Sequence, residues 1–319
     1  MSTNKTPGTG AQHKFFTLLP PTHIPFMKYR KYAYAISLAI VLATVAYLLV
    51  KGPRYSVDFT GGTLLQIQTA RPLPADDVRA VLAELGHGGA ELQAAGDGRE
   101  LLIRMPLQTE TAYRGIDSLL TLRHPDSRPE LRRQETVGPR IGAELRSKAF
   151  WAVLFSMGAI LLYIGLRYEF KFAFGAIVAV FHDVFAAFGV LMFLQREISL
   201  TVIAALLTLA GYSINDTIVV FDRIKERGKQ LHKMSREDAM NQAINETLSR
   251  TLITSVSVFL ATLALYIWGG DVINDFALCI LAGVVFGTYS SIYVASALAL
   301  DTWLWLDKRK SQARKTRAA

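Results

Sequence analysis

Six apolar runs, at residues 32–50, 149–166, 172–194, 200–223, 251–270 and 276–300, limit what this chain can fold into more than any other feature. About 20 residues of helix, rising ~1.5 Å each, cross the ~30 Å hydrocarbon core of a bilayer. No water reaches backbone N–H and C=O groups there, so a run of this length must close its own hydrogen bonds as a helix. The pattern predicts an α-helical polytopic membrane protein with six transmembrane helices. A cleaved leader is the other reading of the first run, but 32–50 is long for one and no small-x-small cleavage pattern follows it. A content of 51% hydrophobic residues and a formal charge of +9 over 319 residues suit such a protein and disfavour a soluble enzyme of this length. The charge sits largely beside apolar runs, where Lys and Arg set topology, and no Arg-rich, aromatic-interleaved surface points to nucleic acid. The only cysteine, Cys279, excludes an intrachain disulfide, and six scattered His give no metal-ligand spacing. No metal or cofactor is expected.

Residues 51–147 are the only stretch long enough for a soluble domain. Asp58, Gly61 and Gly62 stand in an extended segment broken by the two glycines, and a strand follows through Leu64 and Ile67. A helix is predicted over 74–85, with Pro74 near its start, Asp76 and Asp77 in its first turn and Gly86 after its end. Short strands at 91–95 and 100–106 flank the turn Gly96-Asp97-Gly98. A second helix at 110–122 stops before Pro125, and a last strand spans 131–137. The order βαββαβ predicts a ferredoxin-like α+β sandwich. Its many Arg residues read as a solvated surface rather than a polyanion site.

Charge asymmetry orients the spans. The N-terminal segment 1–31, the link 167–171, the stretch 222–250 and the tail hold 5, 2, 7 and 6 Lys or Arg, whereas the links 195–199 and 271–275 hold 1 and 0. By the positive-inside rule both termini are cytoplasmic and the 51–147 domain is exported to the periplasm; long translocated domains do not enter that count. Spans two to six then occupy 148–305, and 306–319 is a basic cytoplasmic tail. Within the polar loop 223–250, Met240, Ile244 and Leu248 recur every four residues, which predicts an amphipathic helix on the membrane surface or against a partner.

Polar residues inside the spans mark the candidate site. Asp216 interrupts the fourth run, and a carboxylate in hydrocarbon costs several kcal/mol, roughly 2.5–3.5 on insertion scales, so it faces a cavity or a partner or binds a proton. At ~100° per residue Leu209, Tyr212, Ser213, Asp216 and Val220 share a face, with Gly211 and Asn215 on its flank. Asp183 lies roughly 17 Å into the third span, Asp216 roughly 10 Å from the cytoplasmic end of the fourth. His182, Asp183 and Asp216 are therefore expected to line one polar seam, with Arg250 opening the fifth span at a similar level. Arg250 is either a topological anchor or a counter-ion for Asp216; His182 either packs or relays protons. A buried carboxylate alternating between an apolar setting and a nearby Arg loads and releases a proton. An intramembrane aspartyl protease is the competing enzyme reading, but HDVF and INDT lack the Gly-flanked Asp such enzymes use. Gly283 and Gly287, extended by Cys279 and Ser290 or Ser291, form a small-xxx-small face that packs either on a partner or on the chain's own spans.

Four motifs in this order, DFTGGT (58–63), VGPRIGAEL (137–145), FHDV (181–184) and GYSINDTIVVFDRIKE (211–226), resemble those of the SecF members of the SecD/SecF family, over residues from about 15 to about 305. The combination is specific, whereas DFTGG or FHDV alone is weak because SecD shares such motifs. The resemblance implies a six-span member of the RND superfamily in the bacterial inner membrane. It further implies pairing with SecD, often with YajC, docking on the SecYEG channel, and use of proton motive force to pull unfolded exported polypeptides after the ATP-driven stage. The family's proton-path Asp and Arg fall on Asp216 and Arg250. No catalytic chemistry is expected. The alternative is an RND-type proton-coupled exporter of small molecules or lipids, a class that usually carries two six-span halves in one chain. A purely structural scaffold is a third reading, and it leaves Asp216 unexplained.

Overall fold

The computed structural model describes residues 22–95, 98–106, 112–226 and 234–318. The Pro- and Gly-containing start of the N-terminal segment, residues 96–97 of the expected turn, the beginning of the helix expected from 110 and residues 227–233 of the basic loop lie outside the described residues.

Six described helices are long and apolar enough to cross a membrane. The first is α1 (Arg30–Lys51), preceded by a 3-10 turn at Phe26–Tyr29. After the extramembrane domain come α5 (Pro139–Arg167), α6 (Phe170–Phe193), α7 (Leu200–Glu226) and α8 (Arg236–Trp268). The sixth span is composite: α9 (Asp271–Ser290), a π-helical turn at Ser291–Ala295, and α10 (Ser296–Ala318). Pro139 sits in the first turn of α5, where a missing N–H costs nothing. Ser235 caps α8, its Oγ accepting from the Asp238 N–H at 3.1 Å. The wide turn is closed in part by the Ser296 hydroxyl, which donates to the Ser291 carbonyl at 2.8 Å. Burial is uneven: α6, α7 and the sixth span are the most enclosed, while α1, α5 and α8 turn most of their surface outward.

One feature differs from expectation. Residues 236–250 are no separate surface helix; they are the first turns of α8, continuous with the fifth span. Met240, Ile244 and Leu248 are buried in the chain's own core with Phe26 and Met27. Asn241 and Asn245 fix that contact, their Oδ1 atoms accepting from the Met27 and Ile24 N–H groups at 2.9 Å each. The amphipathic stripe thus found its cover inside the subunit. The basic tail is helical as well: α10 continues to Ala318 through the residues after 306.

The extramembrane part begins with β1 (Arg54–Tyr55) and a single helical turn, α2 (Val57–Thr60). Next come β2 (Gly62–Gln68), α3 (Ala75–Glu84), β3 (Glu91–Ala95), β4 (Glu100–Met105), α4 (Ala112–Arg123) and β5 (Glu130–Val137). The four longer strands form one antiparallel sheet in the order β3-β4-β2-β5. Leu65 stands opposite Ile103 on β4 and Gln134 on β5. On β4, Leu101, Ile103 and Met105 point into a core with Val78, Val81, Leu82, Ile116 and Leu120, while Glu100, Leu102 and Arg104 alternate onto the other face. That second face meets the membrane helices' outer links. Arg104 forms an ion pair with Glu197, which lies on β6 (Glu197–Ile198) between α6 and α7, and β6 pairs in parallel with β1. Both charged side chains are under a fifth exposed. Burial pushes the Glu197 carboxyl up from its usual range, against the opposing pull of Arg104.

Candidate functional site

Two polar sites lie inside the helix bundle, one around each carboxylate. Asp183 is fully buried on α6. Its Oδ2 accepts from Ser213 Oγ of α7 and from Ser290 Oγ of α9, each at 2.5 Å, and its Oδ1 lies 2.9 Å from His182 Nδ1. Three spans are tied together through one side chain. The His182 ring lies edge-on to Phe286 and tilted against Tyr289, its Nε2 without a hydrogen-bond partner among the described residues. Tyr289 in turn reaches α1, its hydroxyl donating to the Ala33 carbonyl at 2.9 Å and lying 3.1 Å from Ser37 Oγ.

Asp216 is built differently. It is buried one helical turn beyond Ser213 on α7, yet its Oδ2 has no hydrogen-bond partner among the described residues. The polar groups acting on it are the Ser255 hydroxyl and the charge of Arg250 on α8, and Tyr212 lies near it on α7. Arg250 is exposed and forms no ion pair with Asp216. Ser255 belongs to a small hydroxyl cluster, with Thr288 Oγ1 at 2.7 Å and Tyr212 OH at 3.4 Å. Sequence reading missed Ser255 and Thr288: a hydroxyl in an apolar run has many neutral uses, and the contacts join residues 33 to 43 positions apart.

Asp183 and Asp216 thus sit among different neighbours. Ser213 and Asp216 share the buried face of α7, as the helical period requires. The two carboxylates have no hydrogen-bond partner in common. On α9, Ser290 serves Asp183 and Thr288 serves Ser255. No group of three or more His, Cys, Asp or Glu among the described residues is placed to hold a metal.

Gly211 and Asn215 stand away from both sites. They are exposed on the outward face of α7, and a Cβ at Gly211 would meet nothing within 4 Å. The Gly283–Gly287 face is turned inward instead. A Cβ at Gly283 would lie 2.2 Å from a methyl carbon of Leu209, and one at Gly287 would lie 3.6 Å from Ser213 and 3.7 Å from Asp183. Of the two readings of that face, packing on the chain's own fourth span holds.

The second cluster of motif residues is the junction where the domain leaves the membrane. Asp58 Oδ2 accepts from the Leu200 N–H at 3.0 Å, capping the start of the span that carries Asp216. Gly61 and Gly62 adopt φ of +72° and +118°, where side chains are strained. A Cβ on Gly61 would lie 3.1 Å from Pro139 Cα, and one on Gly62 2.7 Å from the Met105 carbonyl oxygen. Gly142, in turn, packs under Gly61 and the Asp58 and Phe59 carbonyls. The segments 58–63 and 137–142 are thus one interlocked structure, in which each glycine admits the backbone of the other.

Comparison with known proteins agrees with these landmarks. A family model described as protein export membrane protein SecD/SecF, C-terminal, matches residues 119–305, and the SecD/SecF GG motif matches residues 46–72. The chain is 41% identical over 280 residues to protein translocase subunit SecF of Vibrio alginolyticus, covering 87% of this chain and 89% of that one. It is 40% identical over 281 residues to the SecF of Pseudomonas aeruginosa, covering 88% and 91%. The crystal structure of SecDF from Thermus thermophilus, a translocon-associated membrane protein, superposes with a TM-score of 0.79 at 39% identity over 89% of this chain. This chain spans 39% of that longer chain. With both conserved family regions present, the spans in order and the relatives matched nearly end to end, the chain belongs to the SecD/SecF family of protein export membrane proteins.

Proposed function

We propose that the chain is the SecF-type subunit of the Sec protein-export machinery, coupling proton movement through Asp216 to late-stage pulling of unfolded exported polypeptides. The observation that carries this reading is the contrast between the carboxylates. Asp183 has both oxygens engaged by three neighbours, whereas Asp216 keeps Oδ2 unengaged, with one hydroxyl and a distant Arg beside it. An engaged carboxylate fixes helices; an unengaged one can take and give up a proton. In this reading Asp216 is the carrier and Ser255 its hydrogen-bond partner. Arg250 draws the proton off when it swings closer, and Asp183 with His182 fixes the three spans rather than conducting.

SecD is the partner that completes the bundle. The outward face of α7, with Ala204, Thr208, Gly211 and Asn215 at helical spacing, is small and polar for a surface facing lipid. A second six-span half covers it, which brings Asp216 toward the centre of the pair. The 39% share of the SecDF chain is consistent with one half of such an assembly. SecYEG, and YajC where present, would dock on the complex. The sheet order β3-β4-β2-β5 under two helices supports a ferredoxin-like domain, placed in the periplasm by the charge asymmetry, with both termini in the cytoplasm at the bacterial inner membrane.

The test is Asp216→Asn, which keeps volume and polarity but cannot lose a proton. In vesicles holding SecD and SecYEG, export driven by a proton gradient after ATP is exhausted should fall at least tenfold, with assembly unchanged. Wild-type export by the variant refutes the proposal.

A further inference from the structure

A cavity of ≈ 430 Å³ opens where the domain meets the membrane, between α2, the start of α5 and the start of α7. Its walls are apolar: Phe59 from α2, Ala149 and Val153 from α5, Ile198 and Ile203 from the α7 side. Arg146, Ala149, Phe150 and Val153 follow the i, i+3, i+4, i+7 spacing of one helix face, so Arg146 stands on the rim directly above the apolar wall. Arg146 makes no ion pair or hydrogen bond with any described residue. Its neighbour Lys148 is already held by Glu144 at 2.8 Å. Thr60 and Tyr55 also line the cavity. Level with it, Trp151 stacks on Phe155 at 5.4 Å and is half exposed, as aromatic residues are at the border of headgroups and hydrocarbon.

We propose that this cavity binds one anionic phospholipid, with an acyl chain against Phe59, Val153 and Ile203 and the phosphate on Arg146. The size falls within the range of small-molecule sites, and the cavity borders α5, the span with the most outward-turned surface, against which lipids are the abundant ligands. A guanidinium with no partner among the described residues, beside an apolar wall, matches a phosphate diester in charge and in paired donors. Because Asp58 of the same turn caps α7, an occupied cavity braces the junction between the domain and the Asp216 span.

Native mass spectrometry of the full chain in detergent, with equal palmitoyl-oleoyl phosphatidylglycerol and phosphatidylcholine, tests the assignment. The wild type should retain one phosphatidylglycerol with about tenfold preference, the scale of a charge-assisted hydrogen bond. Arg146→Gln should bring the two lipids to parity, and Lys148→Gln should leave the preference intact. Ala149→Trp with Val153→Trp should lose the retained lipid of either kind. Parity in the wild type, or a preference that survives Arg146→Gln, overturns the proposal. So does a double variant that keeps its lipid but no longer co-purifies with a partner, because the cavity would then seat a protein helix. If the double variant does not accumulate, the Arg146→Gln comparison alone decides.

Discussion

Two glycines of identical backbone conformation separate strain from close packing at the domain junction. Gly52 ends α1 with φ 69° and ψ 170°; Gly61 ends α2 with φ 72° and ψ 167°. This region is nearly reserved for glycine, and any other residue there costs about 1–3 kcal/mol. Around Gly52 a new Cβ meets nothing within 4 Å, whereas at Gly61 it meets Pro139 Cα at 3.1 Å, Pro139 N at 3.3 Å and the Val137 carbonyl at 3.4 Å. All three atoms are backbone, so relief requires shifting the start of α5 against the sheet, an overpacking cost of about 1–3 kcal/mol. Gly52→Ala should then lower stability by about 2 kcal/mol and Gly61→Ala by about 4 kcal/mol. The two sites lie nine residues apart on the segment tying α1 to β2, so one unfolding event reads both. Pulse proteolysis of the full chain in urea, at a slope of about 2 kcal/mol per M, should show midpoints about 1 M and 2 M below wild type. Equal shifts for the two variants would refute the interlocked junction and leave only backbone strain.

At the domain latch, Glu197 has a raised carboxyl pKa because burial outweighs Arg104. Its stabilising contribution is complete below the ordinary value of 4.5 and is lost as pH rises through the higher folded value. Glu197→Gln should therefore flatten this part of the melting-versus-pH curve above pH 4.5; parallel curves for the two proteins contradict the assignment. Arg104→Met leaves Glu197 buried without its partner and should cost about 3 kcal/mol, read as a lower urea midpoint that Glu197→Gln partly restores. Gly283→Leu should abolish stable accumulation rather than release a partner, because Leu209 already occupies the space; normal accumulation with loss of a co-purifying subunit would return that face to an external interface.

The spans, the burial of Ser213 and Asp216 on one face and the βαββαβ order were legible in the sequence, because each rests on a local period of 3.6 or 2. The helix expected over 74–85 is found at Ala75–Glu84 for the same reason. What escaped is non-local. The hydroxyls around the two carboxylates, Ser255, Thr288 and Ser290, come from spans that only folding brings beside α6 and α7. The parallel pairing of Arg54–Tyr55 with Glu197–Ile198 joins two-residue strands 143 positions apart, too short to leave a pattern. The stripe of Met240, Ile244 and Leu248 was read correctly as a face needing cover, but periodicity does not say what supplies it. The N-terminal turn does so, through the two Asn side chains that bind its backbone.

The Asp183 site also bears on why span six is broken by a π turn. Ser290 holds Asp183 while Thr288, two residues earlier on α9, reaches Ser255. Immediately afterwards the helix meets α6 at Gly175, where a Cβ would lie 2.5 Å from the Ala295 carbonyl oxygen. A regular α-helix cannot change the direction of its contact face so abruptly; one inserted wide turn, Ser291–Ala295, shifts the register and lets α10 follow α6. Such turns cost hydrogen-bond regularity and are kept where a site demands it. The bulge then serves the rigid Asp183 knot, while Asp216 keeps Oδ2 without a hydrogen-bond partner among the described residues. Asp183→Ala, which deletes the acceptor of Ser213, Ser290 and His182, should therefore cost about 3–5 kcal/mol of bundle stability, whereas Asp216→Ala should leave the unfolding midpoint within about 1 kcal/mol of wild type. Comparable losses in both variants would mean that the two carboxylates share one structural task.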